Sequence, residues 1–311
     1  MNIYFPPSSL WYHEFGGVGK LKEYHPVIVS ASRRTDIPAF FGEWFLKIWK
    51  RGYTIWRNPF NPKDIRKVFF DKTRVVVFWS KFPEPFINFL KEIDTFYYFH
   101  FTLNDYPHIL EPNLPHLQRR LSVFKKLSSI LGEDRIIWRY DPIIISKNLG
   151  LTIESILKKI DAISKELEGY TTKLFVSFLT PYRKVIRRFE KKKIDIVDLG
   201  YDEKKELLLK IHEIVASRGI ELHTCAEPFY DEKIIPGSCV DPSIPYTYLK
   251  NDPLFQEYLK NSGKDKGQRK LCKCWKSVDI GFYNTCPFLC TYCYAHDGIR
   301  KLKKTIKIFE E

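Results

Sequence analysis

Short β-rich apolar runs alternate with longer amphipathic stretches from residue 26 to about residue 230, and few architectures accept that order. Repeated βα units do, because each strand feeds a helix that returns the chain to the same end of a parallel sheet. The spacing predicts strands over 27–32, 74–80, 96–103, 136–141, 173–179 and 220–225. Between them apolar residues recur every three or four positions, which predicts helices over 117–131, 153–167 and 203–217, with Gly219 as a C-cap. Residues 231–270 are interrupted by Pro236, Gly237, Pro242, Pro245, Pro253 and Gly263, so they read as loop with one short helix over 253–260. A seventh strand over 278–283 leads into a cysteine-rich stretch, and a basic helix starts near His296.

The expected fold is therefore α/β: one (β/α) barrel of the TIM type, partial or complete, spanning residues 1–311. Residues 231–311 form an irregular cysteine-rich segment that completes it. With 311 residues, 44% hydrophobic and 16% aromatic, the chain can bury a large core without covalent staples. Trp44, Trp49, Trp56 and Trp79 read as part of that core rather than as a stacking platform for bases.

Several strand ends carry polar residues that a buried strand does not need. They are Ser32-Arg33-Arg34-Thr35-Asp36, Thr102-Leu103-Asn104-Asp105, Trp138-Arg139-Tyr140-Asp141 and Thr224-Cys225-Ala226-Glu227. In parallel α/β folds the ligand site lies where such ends converge. Arg33, Asp36, Arg139, Asp141 and Glu227 are accordingly the catalytic candidates, and Ser32 and Asn104 are candidates for holding a cofactor. Two arginines and an aspartate before Pro38 suit a bidentate clamp on a carboxylate or phosphate, although an Arg–Asp pair also shapes loops. His223, two residues before Cys225, is a minor candidate.

Residues 1–15 show no basic stretch followed by an apolar core and a cleavage site, and no run approaches the roughly 18 apolar residues of a membrane span. The expectation is a cytoplasmic protein with no membrane partner. Thiols stay reduced there, so seven cysteines read as metal or catalytic ligands before disulfides. Cys286, Cys290 and Cys293 stand in Asn-Thr-Cys-Pro-Phe-Leu-Cys-Thr-Tyr-Cys-Tyr-Ala, with three and then two residues between thiols. At this cysteine frequency such a triple arises by chance in roughly three chains per thousand, so the spacing is informative. Three thiolates on one loop suit three irons of a [4Fe-4S] cluster and leave the fourth iron open.

The loop resembles the cluster motif of the radical S-adenosylmethionine superfamily, and its Tyr-Cys-Tyr-Ala ending is similar to the spore photoproduct lyase branch. That resemblance implies Cys286, Cys290 and Cys293 as ligands of a [4Fe-4S] cluster and S-adenosylmethionine as cofactor on the open iron. It also implies an external electron donor, and reductive cleavage to a 5′-deoxyadenosyl radical that abstracts hydrogen from a substrate. Tyr292 matches the aromatic position beside the adenine. Superfamily members carry the loop after the first barrel strand, whereas here it lies near the C-terminus, so a circular permutation is implied. Strand 278–283 then becomes the topological first and 27–32 the second. The superfamily's Gly-Gly-Glu stretch is replaced by Ser30-Ala31-Ser32-Arg33, and Leu289 stands where related loops often have Gly. Seen whole, the chain resembles a domain-of-unknown-function family with a C-terminal cluster of this type. The resemblance runs through Ser32-Arg33-Arg34-Thr35-Asp36-Ile37-Pro38-Ala39-Phe40, Asn58-Pro59-Phe60, Cys225-Ala226-Glu227 and Asp279-Ile280-Gly281.

Cys225, Cys239, Cys272 and Cys274 suffice for one zinc or a second closed cluster, but only if the tertiary fold gathers them; otherwise they are buried free thiols. Lys and Arg exceed Asp and Glu by 51 to 37, and residues 260–311 hold twelve of the former against five of the latter. Half of the net charge of +14 thus sits beside the cysteine loop, which favours a nucleic acid or nucleotide substrate. The rival expectation is a non-catalytic nucleic-acid-binding protein fixed by zinc or iron–sulfur sites. A zinc hydrolase with Glu227 as base ranks last, because three thiolates make a poor catalytic zinc set.

Overall fold

The computed structural model describes residues 21–59, 61 and 63–307. The signal-peptide reading of residues 1–15 and Phe60 of the Asn-Pro-Phe motif lie outside the described residues. Eleven strands are described: β1 (Lys22–Tyr24), β2 (Ile28–Ala31), β3 (Tyr53–Arg57), β4 (Ile65–Phe69), β5 (Val75–Ser80), β6 (Phe96–Thr102), β7 (Ile136–Ile143), β8 (Lys173–Phe178), β9 (Glu221–Thr224), β10 (Ile235–Pro236) and β11 (Val278–Asp279). The helices are α1 (Ile37–Phe40), α2 (Gly42–Arg51), α3 (Leu117–Leu131), α4 (Ile153–Leu167), α5 (Arg183–Lys191), α6 (Tyr201–Ala216), α7 (Ser243–Leu249), α8 (Pro253–Asn261) and α9 (Ile299–Thr305).

Eight strands form one sheet in the order β10-β9-β8-β7-β6-β5-β2-β11, and every adjacent pair is parallel. The strands β10 and β11 end the order and do not pair with each other. Six expected strands are found within about two residues of their predicted bounds, whereas the run 278–283 is strand only over Val278–Asp279. That short strand nevertheless pairs with β2, with Asp279 opposite Ser30. Gly219 has a left-handed φ of +70°, but it lies past Ser217, which caps α6.

Alternation along each strand sends side chains to two distinct cores, as a period of two requires. Ala31, Phe78, Phe99, Trp138, Val176 and Leu222 pack with Phe45, Phe124, Ile160 and Ile211 of the surrounding helices. The opposite face presents Ile28, Val77, Tyr98, Ile137 and Phe175, and it is covered by Cys239, Val240, Ile244, Phe255, Cys272 and Cys274. The proline-broken segment is therefore the lid of the sheet's second face, with α7 and β10 where the sequence suggested loop. A further sheet of three strands, β1-β4-β3, also escapes the sequence reading. Among the described residues no helix is long and apolar enough to cross a membrane.

Gly237 shows how closely the lid approaches. Its N–H donates to the Thr224 carbonyl at 2.8 Å. A Cβ there would stand 2.5 Å from Phe175 Cε1 and 3.0 Å from the Thr224 oxygen, while one at Gly263 meets nothing within 4 Å. Gly237→Ala is expected to lower stability by roughly 1–3 kcal/mol through overpacking, and Gly263→Ala to change it by less than about 0.5 kcal/mol. Urea denaturation midpoints of the two variants check this.

Candidate functional site

A cavity of about 440 Å³ opens at the C-terminal ends of the strands. Ser32, Arg33, Arg34 and Asp36 enter it after β2, Lys81 after β5, Arg139 and Asp141 from β7, Ser177 from β8 and Cys225 after β9. All seven cysteines line this cavity, and all seven are free. Among the described residues no three His, Cys, Asp or Glu side chains stand as a ready-made metal shell.

The loop carrying Cys286, Cys290 and Cys293 is held by polar contacts around its rim. Thr291 N and Oγ1 donate to the carbonyls of Leu110 and Ile109, at 2.8 and 2.7 Å. His296 Nε2 lies 2.9 Å from the Cys290 carbonyl, and Arg188 bonds the carbonyls of Cys293 and His296. The Ala295 N–H points at Cys293 Sγ, 3.3 Å away. Leu289 has φ +52°, a left-handed turn that glycine adopts without steric cost. The departure noted at this position thus falls where the backbone favours glycine. Burial pushes the thiol of Cys290 up to about 12, against the cation of Lys81, and raises those of Cys286 and Cys293 as well. Burial thus disfavours the thiolate at each of these positions, and a bound cation would act in the opposite direction.

Tyr292, between the last two cysteines of the loop, is 7% exposed and its hydroxyl is fully engaged. It donates to Glu111 and receives bonds from Lys81 Nζ at 2.8 Å and Asn104 Nδ2 at 3.2 Å. Lys81 also pairs with Glu111 at 2.9 Å, and Arg120 lies 3.8 Å from the other carboxylate oxygen. Sequence reasoning missed Lys81, Glu111 and Arg120, since they sit in three separate loops or helices with no shared motif. Asn104, a cofactor candidate, also donates to the Asp141 carbonyl and accepts from the Asp141 N–H.

The stretch after β2 is organised by a residue from the far end of the chain. Asp279 accepts from Ser30 Oγ at 2.9 Å, Ser32 Oγ at 2.7 Å, Arg33 N at 2.8 Å and Gly281 N at 3.0 Å. Arg33 and Arg34 also approach it with their guanidinium groups, at 3.5 and 4.0 Å. The ion pair that shapes this loop is therefore with Asp279. Asp36 instead caps α1 by accepting from Ala39 N and binds Lys81 N at 2.7 Å, and its burial pushes its carboxyl up to about 6 despite those bonds. Gly281 belongs to the same contact, because a Cβ on it would lie 2.0 Å from Ser32 Oγ.

Buried Arg139 and half-buried Asp141 form a pair at 2.6 Å, with Ser177 bonded to the same carboxylate and Arg139 Nη1 reaching Cys239 Sγ at 2.9 Å. Glu227 is spent on the Phe178 N–H at 2.9 Å, and burial raises its carboxyl above the usual range. His223 stacks on Phe175 and faces Glu221.

Comparison with known families matches residues 28–295 to the domain of unknown function DUF1848. The chain belongs to the DUF1848 family. The match takes in every strand of the large sheet and ends just past the cysteine loop, so the family's domain contains all of the cavity lining except His296. No curated protein and no solved structure matches the chain.

Burial works against a charge on Asp279, and Arg34, Arg33 and Ser32 overcome it to hold the carboxyl below its ordinary pKa. A depressed carboxylate stabilises the fold above its unfolded pKa of about 3.9 and loses that contribution as pH falls below it. Asp279→Asn, which removes one partner of a buried ion pair, is expected to cost roughly 3–5 kcal/mol. The gap from wild type should be constant from about pH 5 to 8 and narrow below about pH 4, as denaturation midpoints measured across pH would show.

Proposed function

We propose that this DUF1848 protein is a radical S-adenosylmethionine-type enzyme built on a permuted, partial (β/α) barrel. In this reading Cys286, Cys290 and Cys293 hold a [4Fe-4S] cluster, and S-adenosylmethionine and a substrate share the strand-end cavity. The observation that carries it is that these three thiols, spaced by three and two residues, open together onto the cavity where the parallel strands end. Its volume of about 440 Å³ falls within the roughly 300–1,000 Å³ of small-molecule sites. A permuted first strand also agrees with β11 lying parallel beside β2.

A bound cluster of this kind supplies one electron, received from an external donor, for reductive cleavage of S-adenosylmethionine ahead of hydrogen abstraction. The chain's own residues prepare the place for it. Lys81 and Arg188 set positive charge beside the thiols of Cys290 and Cys293, which lessens the cost of their ionisation. The Glu111–Lys81–Asn104 contacts lock the Tyr292 ring against one wall. Asp279 fixes the backbone of Ser32 and Arg33 opposite, and the lid over residues 239–275 excludes water from the sheet's inner face.

Five cationic side chains line the cavity (Arg33, Arg34, Lys81, Arg139 and Arg269) against the carboxylates Asp36 and Asp141. This balance supports an anionic substrate, and a nucleotide or nucleic acid suits it, with Tyr182, Tyr283 and Tyr294 grouped along the same lining. Seven free thiols suit the reducing cytoplasm. The rival reading, a non-catalytic nucleic-acid-binding protein, draws on the same charge and on the close set of four other cysteines.

Product formation separates the two. Protein loaded anaerobically with iron and sulfide, then given dithionite and S-adenosylmethionine, is expected to release 5′-deoxyadenosine and methionine. Cys286→Ala, Cys290→Ala and Cys293→Ala should each abolish the release. Cluster-replete protein that yields no 5′-deoxyadenosine would sink the enzyme reading in favour of the binding module.

A further inference from the structure

We propose that Cys225, Cys239, Cys272 and Cys274 bind one zinc ion as a closed tetrathiolate that fastens the lid to the sheet. The four come from three separated places: the end of β9, the loop after β10 and the Cys-Lys-Cys turn before β11. The fold nevertheless links them in an unbroken series. Cys225 Sγ lies 3.5 Å from Cys239 Sγ, the Cys239 N–H points at Cys274 Sγ, and the Cys274 N–H points at Cys272 Sγ. Cys239, Cys272 and Cys274 are 3%, 6% and 3% exposed.

The spacing discriminates among the ways four cysteines can be used. A disulfide needs sulfurs at about 2.05 Å, so these are not bridged. A metal–sulfur bond of about 2.3 Å in a tetrahedron sets the sulfurs about 3.8 Å apart, close to the 3.5 Å between Cys225 and Cys239. A four-iron cube would place each thiolate on a different corner and hold them well beyond that.

The surroundings fit a charged site better than neutral thiols. Arg139, itself 5% exposed, directs Nη1 at Cys239 Sγ, 2.9 Å away. Arg269 reaches Cys225 Sγ at 4.0 Å, and Arg33 also lies in the field of Cys239 and Cys274. Backbone N–H groups complete the shell, from Cys239 to Cys274 Sγ at 3.2 Å and from Cys274 to Cys272 Sγ at 3.5 Å. Four thiols that bind Zn²⁺ release four protons and leave a net charge of −2, which these arginines offset. With all four positions filled by sulfur, the ion has no place for water or substrate, so its role is structural. It would tie Cys225 of the sheet to the lid residues and, through Cys239, position the Arg139–Asp141 pair at the cavity.

This inference does not depend on the radical chemistry, and metal content reads it separately. Full-length protein produced with both iron and zinc supplied should hold about one zinc per chain. Cys286→Ala and Cys290→Ala should retain that zinc, and a Cys272→Ser/Cys274→Ser variant should lose it. Zinc-edge X-ray absorption of the wild type should show four sulfur neighbours at about 2.3 Å, which decides the matter even if the double variant does not fold. Wild-type protein without zinc, zinc lost with Cys286 or Cys290 instead, nitrogen or oxygen in the zinc shell, or iron in this set would overturn it.

Discussion

The carboxylate of Asp279 joins the last strand of the large sheet to the stretch after β2, about 250 residues away in sequence, and the position of the cysteine loop follows from that junction. The strand β11 has only two residues, too few for backbone pairing alone to fix its register. Three short hydrogen bonds and two guanidinium groups do so instead, and they are directional where apolar packing is not. Gly281 is what allows the approach, since any side chain there would strike Ser32. Because Cys286 follows five residues later, the same contacts set where the loop enters the cavity.

The residues that sequence reasoning recovered are those whose role is periodic or local. Buried parallel strands such as Val75–Ser80 and Phe96–Thr102 read clearly because they are nearly continuous apolar runs. The strands Tyr53–Arg57 and Ile65–Phe69 did not, because they form a small sheet whose faces are mixed and partly exposed. The lid was equally opaque: its prolines argue for loop, and only contact with Phe175 and Tyr98 turns that loop into the cover of an inner face.

At the site, the cysteine spacing and the polar strand ends were legible, yet their partners were not. Arg33 and Asp36 are three residues apart and suggest a pair, but Asp36 is consumed by capping α1 and by the Lys81 N–H, which leaves Arg33 to Asp279. Tyr292 was visible as an aromatic beside a cysteine, while Glu111 and Lys81, which hold its hydroxyl, lie far away in sequence and carry no pattern. Pairings of this kind are set by the tertiary fold, so a single sequence exposes the members and conceals the match.

Electrostatics gives these separate contacts a common logic. Removing a carboxylate, a guanidinium or a thiolate from water costs more than any single neutral hydrogen bond returns, so each buried charge needs a fixed counterpart. The β2 stretch meets that requirement with Asp279 between two arginines, and Tyr292 sits in a cluster with Lys81 and Glu111. Around the seven thiols both signs are present: Arg33, Arg139, Arg188, Arg269 and Lys81 act on cysteine sulfurs, while Asp36 stands beside Cys286, Asp141 beside Cys225 and Glu111 beside Cys290. The proximity of these cations to neutral sulfur contributes little, since Arg33, Arg139 and Lys81 already hold the carboxylates of Asp279, Asp141 and Glu111. It becomes favourable once the sulfurs carry negative charge, and in a low-dielectric interior metal binding is the ordinary route by which clustered thiols lose their protons. The arginines and the cysteines thus share one physical argument: cations that already hold a carboxylate partner also lower the cost of ionising the sulfur beside them.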